Sequence, residues 1–135
     1  LPGTEFDVPN YADGVGTVFV VNTGQTATIK TITVNVPTTG FLVLMGSVEA
    51  RGLGDAGNSF SELQLFDETS NTTVAGAGYV KYVEYNTLTI QGVLPVSTGT
   101  RTLSLKIKAH SGSGGQVWYY SNSGSFVAMF FPVRY

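Results

Sequence analysis

The chain has 135 residues and a net charge of −2, with only 12% charged residues against 42% hydrophobic ones; an average soluble domain carries roughly 25% charge. Seven Lys and Arg against nine Asp and Glu offer no electrostatic footprint for nucleic acid or anionic lipid. A mass of 14.3 kDa suits one domain that buries about two thirds of its extended surface in a single core, and the 17 Gly and 5 Pro follow no collagen period in a chain too apolar for a disordered polymer.

The absence of cysteine excludes a disulfide framework, a thiolate nucleophile and a Cys-based zinc site. A first residue of Leu1 rather than Met is expected of a processed product or an excised fragment. The longest apolar runs, residues 41–45 and 126–131, fall far short of the about 20 residues of a membrane-crossing helix, so no membrane insertion is expected.

Residues 1–14 carry two prolines, the aromatics Phe6 and Tyr11 and no clear period. They read as an extended arm or linker ahead of a single domain over 15–135. Alternatively, the arm adds a strand to a neighbouring subunit and so converts a closed assembly into a filament.

From residue 15 onward apolar residues repeat at two rather than at 3.6. Strands are predicted at 15–21 and 31–36, with Ile29 out of phase with Ile32 and so a bulge or break near Lys30. Next come 41–45 and 61–66, the latter burying Leu63 and Leu65, then 74–85 and 87–94, with Leu88 and Ile90 inward. The segment 101–109 places Leu103, Leu105, Ile107 and Ala109 on one face and Thr102, Ser104, Lys106 and Lys108 on the other, the mark of a half-exposed antiparallel strand. Residues 116–120 and 126–133 complete the set.

Turn chemistry rich in Gly, Asn, Asp, Ser and Thr fills 22–25, 37–40, 52–58, 67–71, 97–99, 111–115 and 121–124, and no stretch has the amphipathic pattern a helix needs. The fold class is therefore all-β, an antiparallel sandwich or barrel of about 8–10 strands.

Two of these strands, 41–45 and 126–133, are apolar on both faces, which requires a covering layer beyond one core. Either a loop or the N-terminal arm supplies it, or a second subunit does. Along the closing strand Phe126, Ala128 and Phe130 point one way and Val127, Met129, Phe131 and Val133 the other. With Trp118, Tyr119 and Tyr120 just upstream, this aromatic and Met content is that of an interface core. We favour the interface, built from Phe41, Trp118, Tyr119, Tyr120, Phe126, Ala128, Phe130 and Phe131.

Residues 31–47, which read TITVNVPTTGFLVLMGS, resemble the paired second and third strands of the tumour necrosis factor and complement globular-head superfamily. Residues 61–66, the pair 79–96 and 99–107, and the closing run 125–133 fit the same template. The resemblance implies a ten-strand jelly roll, compact homotrimers and a closing strand near the three-fold axis. The aromatic signature of the animal members is absent, so receptor signalling does not carry over; architecture does.

Catalytic chemistry finds little support. His110 is the only histidine and heads a Ser/Gly loop, where an exposed turn is expected rather than an oriented base, and neither Ser111 nor Ser113 sits in a nucleophile elbow. Glu49, Glu62 and Glu84 fall on outward strand faces, where solvated charge is the default. Asp55, Asn58 and Asp67 offer loop oxygens of the kind calcium uses, but Asx turns explain them without an ion, and neither stretch is an EF-hand. Asn71-Thr72-Thr73 has the form of a glycosylation sequon.

A shallow sugar site is the alternative function, with Tyr79, Lys81 and Tyr85 on one strand face as the ligand-binding candidates. The expectation is thus a non-enzymatic, self-associating jelly roll without cofactors, extracellular or at a cell or virion surface. Its partner is a second copy of itself, or a glycan.

Overall fold

The computed structural model describes residues 5–7, 18–53, 60–80, 86–110, 116–120 and 124–133. Their period-two patterning becomes ten strands: β1 (Glu5–Asp7), β2 (Val18–Asn22), β3 (Thr26–Val36), β4 (Gly40–Leu53), β5 (Phe60–Asp67), β6 (Thr72–Val80), β7 (Asn86–Val96), β8 (Gly99–Ala109), β9 (Gln116–Tyr120) and β10 (Ser125–Pro132). Every described pairing is antiparallel. They form two sheets: A, in the order β1-β10-β4-β9-β2 with β7 also on β4, and B, in the order β3-β8-β5-β6. The all-β jelly-roll expectation is met.

β4 organises sheet A because it is 14 residues long. One edge pairs with β10 from Gly40 to Ser47 and then with β9 from Ala50 to Leu53, while the other edge pairs with β7 from Gly40 to Ala50. Residues 5–7 of the predicted arm lie on β10 of the same chain, with Phe6 opposite Val127.

Between the sheets, Leu42, Leu44 and Val48 of β4 meet Leu63 and Leu65 of β5 and Leu103, Leu105 and Ile107 of β8, all fully buried. Each such side chain contributes about 1.5–3 kcal/mol by leaving water. The inward faces of 61–66, 87–94 and 101–109 are those predicted. The irregularity near Lys30 is a bulge: register shifts between Thr28 and Lys30, which pair with Lys106 and Leu105. Ile29 is the extra residue, and both it and Ile32 turn inward. Because the bulge absorbs the phase change, β3 continues through it and is longer than the segment 31–36.

The hydroxyl face of β3 and β8 is zipped across the strands. Thr31 and Ser104 hydroxyls are 3.0 Å apart, those of Thr33 and Thr102 3.4 Å, and Thr100 donates to Asn35 at 3.0 Å. Ser104, placed by alternation on an exposed face, is consequently 1% exposed.

The β5–β6 turn is held by a buried carboxylate. Asp67 Oδ2 accepts from Arg101 Nη1 at 2.7 Å and from Ser70 Oγ at 2.8 Å, and Oδ1 accepts from the Thr69 amide at 3.0 Å. Thr102 N donates to Thr69 Oγ1, and Glu68 N donates to the Thr102 carbonyl, so the turn is fastened to β8. Asn71 closes it with φ of 56°, a left-handed conformation that Asn tolerates better than most residues.

Two stability predictions follow from these contacts. Asp67→Ala leaves the Arg101 guanidinium, whose side chain is 22% exposed, without its partner and should cost about 3 kcal/mol, read as a lower urea midpoint at unchanged slope. Gly46 lies where a Cβ would stand 2.6 Å from Leu105 Cδ1; Gly46→Val should cost about 1–3 kcal/mol through overpacking, and unchanged melting would show that Leu105 yields.

Candidate functional site

The outer face of sheet A is where the sequence departs from an ordinary sandwich. Alternation along β4 sends Leu42, Leu44 and Val48 into the core and leaves Phe41, Val43, Met45, Ser47, Glu49 and Arg51 on the other side. Register aligns these with their neighbours in rows: Phe131, Phe41 and Pro95; then Met129, Val43 and Val93; then Val127, Met45 and Gln91. The three rows make a nearly continuous apolar patch about 10 Å wide and 14 Å long. Phe41 is 43% exposed, Met45 38%, Val93 58% and Phe131 49%.

Beyond that patch the face becomes polar. Ser125, Ser47 and Thr89 form the next row, followed by Glu49 with Thr87, and then by Arg51 opposite Trp118, which in turn pairs with Val20. The Arg51 guanidinium lies 5.7 Å from the centre of the Trp118 ring, a cation–π contact. An open groove of about 610 Å³ runs over this region, lined by Met45, Gly46, Ser47, Thr89, Ile90, Gln91, Ser125 and Val127 of sheet A and by residues 75–77 of β6.

The predicted interface residues divide between two environments. Phe126 and Ala128 are completely buried and Tyr119 is 4% exposed; all three belong to the interior of the sandwich, and Phe130 packs against the same core. They are corrected to core residues, because β10 and β9 spend one side of each strand on closing the sandwich. Burial raises the Tyr119 phenol above its ordinary pKa, and its ring stacks on Phe19 at 5.6 Å. Phe41 and Phe131 lie outward, and Trp118 and Tyr120 are half-buried on the outer side of β9. Met45, Val93, Val127 and Met129 join the exposed face. The alternation along the strands already separated the two sets; what it lacked was the side that faces sheet B.

Asp67 is likewise corrected from a calcium candidate to a structural anchor, since Arg101, Ser70 and the Thr69 amide use its oxygens. Among the described residues no three His, Cys, Asp or Glu side chains come together to hold a metal. Asp55, Asn58, Lys81 and Tyr85 lie outside the described residues, as does the Tyr79 side chain; the Tyr79 backbone pairs with Ser61 in sheet B. Asn71 of the sequon is exposed.

His110 is not a loose loop histidine. Its Nε2 donates to Glu62 Oε1 at 2.7 Å, and Gln64 Nε2 donates to Glu62 Oε2 at 3.1 Å. Burial opposes ionisation of Glu62, but the hydrogen bonds from His110 and Gln64 and the charges of His110 and Lys108 together hold its carboxyl below the ordinary value. Sequence reasoning missed this pair because its members are 48 positions apart and only the β5–β8 register unites them. The same polar side of sheet B holds Lys106, bonded to Glu68 at 3.0 Å and set 3.8 Å from the Phe66 ring centre.

No helix among the described residues is long and apolar enough to cross a membrane. No family model and no curated protein matches the sequence. Among solved structures, the fold is similar to Eiger TNF from S. frugiperda, with a TM-score of 0.58 at 12% identity over 100% of this chain and 97% of that one. It is also similar to a structure of infectious bursal disease virus Gx strain, with a TM-score of 0.59 at 16% identity over 95% of this chain, and to the VP2 subviral particle of infectious bursal disease virus, with 0.56 at 15% identity over 93%. The chain spans about a third of those viral chains, 33% and 31%. Two antiparallel sheets in this order, matching Eiger TNF over nearly the whole of both chains, make the fold a TNF-like jelly roll.

Proposed function

We propose that the chain is a non-enzymatic structural module that self-associates through the outer face of sheet A, as a homotrimer at the surface of a cell or virion. The observation that carries this reading is the apolar patch, in which Phe41, Met45, Val93 and Phe131 stand exposed in adjoining rows. Exposed large apolar side chains clustered in adjoining rows, rather than scattered singly, suit an interaction surface, and a second apolar surface is their natural cover.

The low charge content supports the same reading, because residues 41–45, 92–96 and 126–133 contribute no charged side chain to this face. The trimer rests on the TNF-like fold, and the surface location on fold neighbours that are a TNF protein and virus particles. Pairing of residues 5–7 with β10 of their own chain supports a closed assembly over a filament built by N-terminal strand addition.

Light scattering on the eluted protein should give three times the chain mass of 14.3 kDa; a clean monomer overturns the proposal. The double variant Phe41→Ser with Phe131→Ser should raise the dissociation constant about tenfold or more while the fold survives, because both side chains are exposed in the single chain. Phe126→Ala, by contrast, removes a ring from the core and should cost about 3–5 kcal/mol of folding stability. Thermal melts beside the mass measurement tell the two effects apart.

A further inference from the structure

We propose that the groove over β10, β4 and β7 binds a neutral oligosaccharide. The groove shares the row Val127, Met45 and Gln91 with the assembly face, and this inference stands on the chemistry of the lining rather than on the assembly reading. At about 610 Å³ the groove falls within the range of small-ligand sites, about 300–1,000 Å³.

None of the residues lining the groove is ionisable. The Glu62 carboxylate lies just beyond Gly76, but His110 and Gln64 hold it, and it is not part of the lining. A charged ligand therefore finds no counter-charge in the groove itself.

The polar groups present are three hydroxyls and one amide. Ser125, Ser47 and Thr89 sit directly opposite one another on β10, β4 and β7, with Gln91 in the neighbouring row. Adjacent strands are about 5 Å apart, so the hydroxyls form a line about 10 Å long. Hydroxyls and amides both donate and accept hydrogen bonds, which suits a ligand whose own groups are hydroxyls. Met45 and Val127 supply apolar surface for the C–H faces of sugar rings.

Backbone pairing keeps an extended peptide from adding to β4 itself. Between Gly40 and Ser47 both edges of β4 are paired, to β10 and to β7. At β4, recognition therefore falls to side chains; β7 and β6 are each paired along one edge only among the described residues, so strand addition there is the competing outcome that a peptide probe tests.

The test is a titration of the full ¹⁵N-labelled chain with maltotriose, cellotriose and chitotriose, with trigalacturonate and tetra-alanine as charged and peptide comparisons. Saturable shifts at Ser47, Thr89, Gln91 and Ser125 with at least one neutral trisaccharide are expected. Gln91→Ala and Ser47→Ala should each weaken binding about 3- to 10-fold, the worth of one hydrogen bond, with melting temperatures showing that the fold is kept. The proposal is overturned by the absence of saturable shifts with all three neutral sugars, or by equal or tighter binding of trigalacturonate or tetra-alanine. Shifts that map elsewhere, or variants that bind like the parent, overturn it as well.

Discussion

Because β4 is paired along both edges, its main-chain groups between Gly40 and Ser47 are consumed within the chain, and whatever this part of the molecule does must be done by side chains. The pleat divides those side chains into two sets. One set, Leu42, Leu44 and Val48, fills the space between the sheets with no exposure at all. The other faces away, and its character changes along the strand from apolar at Phe41 to hydroxyl at Ser47 to charged at Glu49 and Arg51. The assembly surface and the groove overlap on this one outer face at the row Val127, Met45 and Gln91, and their places on it are set by the register of β10 and β7 against β4.

Sheet B behaves differently for a physical reason. Its outer surface carries the Thr and Ser pairs between β3 and β8, the His110–Glu62–Gln64 cluster and the Lys106–Glu68 pair. Such groups are at ease in water, and each exposed ion pair adds little stability. The Asp67–Arg101 pair is the exception, since the carboxylate is nearly fully buried and its hydrogen bonds tie a turn to a distant strand. The molecule thus has a hydrated side and a side with an apolar stretch, a contrast that average composition conceals.

Much of the fold was legible because a strand declares itself locally. The inward faces of β5, β7 and β8 and the bulge beside Ile29 follow from side chains alternating over a few residues, and the turns at 23–24 and 68–71 from their Gly, Ser, Thr and Asn content. The site was less legible. Both faces of residues 126–133 are apolar, so hydrophobicity alone could not tell Phe126 in the core from Phe131 outside it. Asp67 has the loop chemistry of a cation ligand until Arg101, 34 positions away, takes its carboxylate. Nothing near His110 in the sequence announces Glu62.

Composition and period-two alternation act over short stretches of chain, and they suffice for an all-β sandwich with few charges, no cysteine chemistry and two strands apolar on both sides. Which side of each two-faced strand is interior, which carboxylates are already engaged and where hydroxyl side chains line up beside an apolar patch are settled once the sheets pair and stack. Those outcomes depend on strand register and sheet stacking between residues far apart in the chain. Contacts of that kind are a property of the assembled sheets, and no local pattern encodes them.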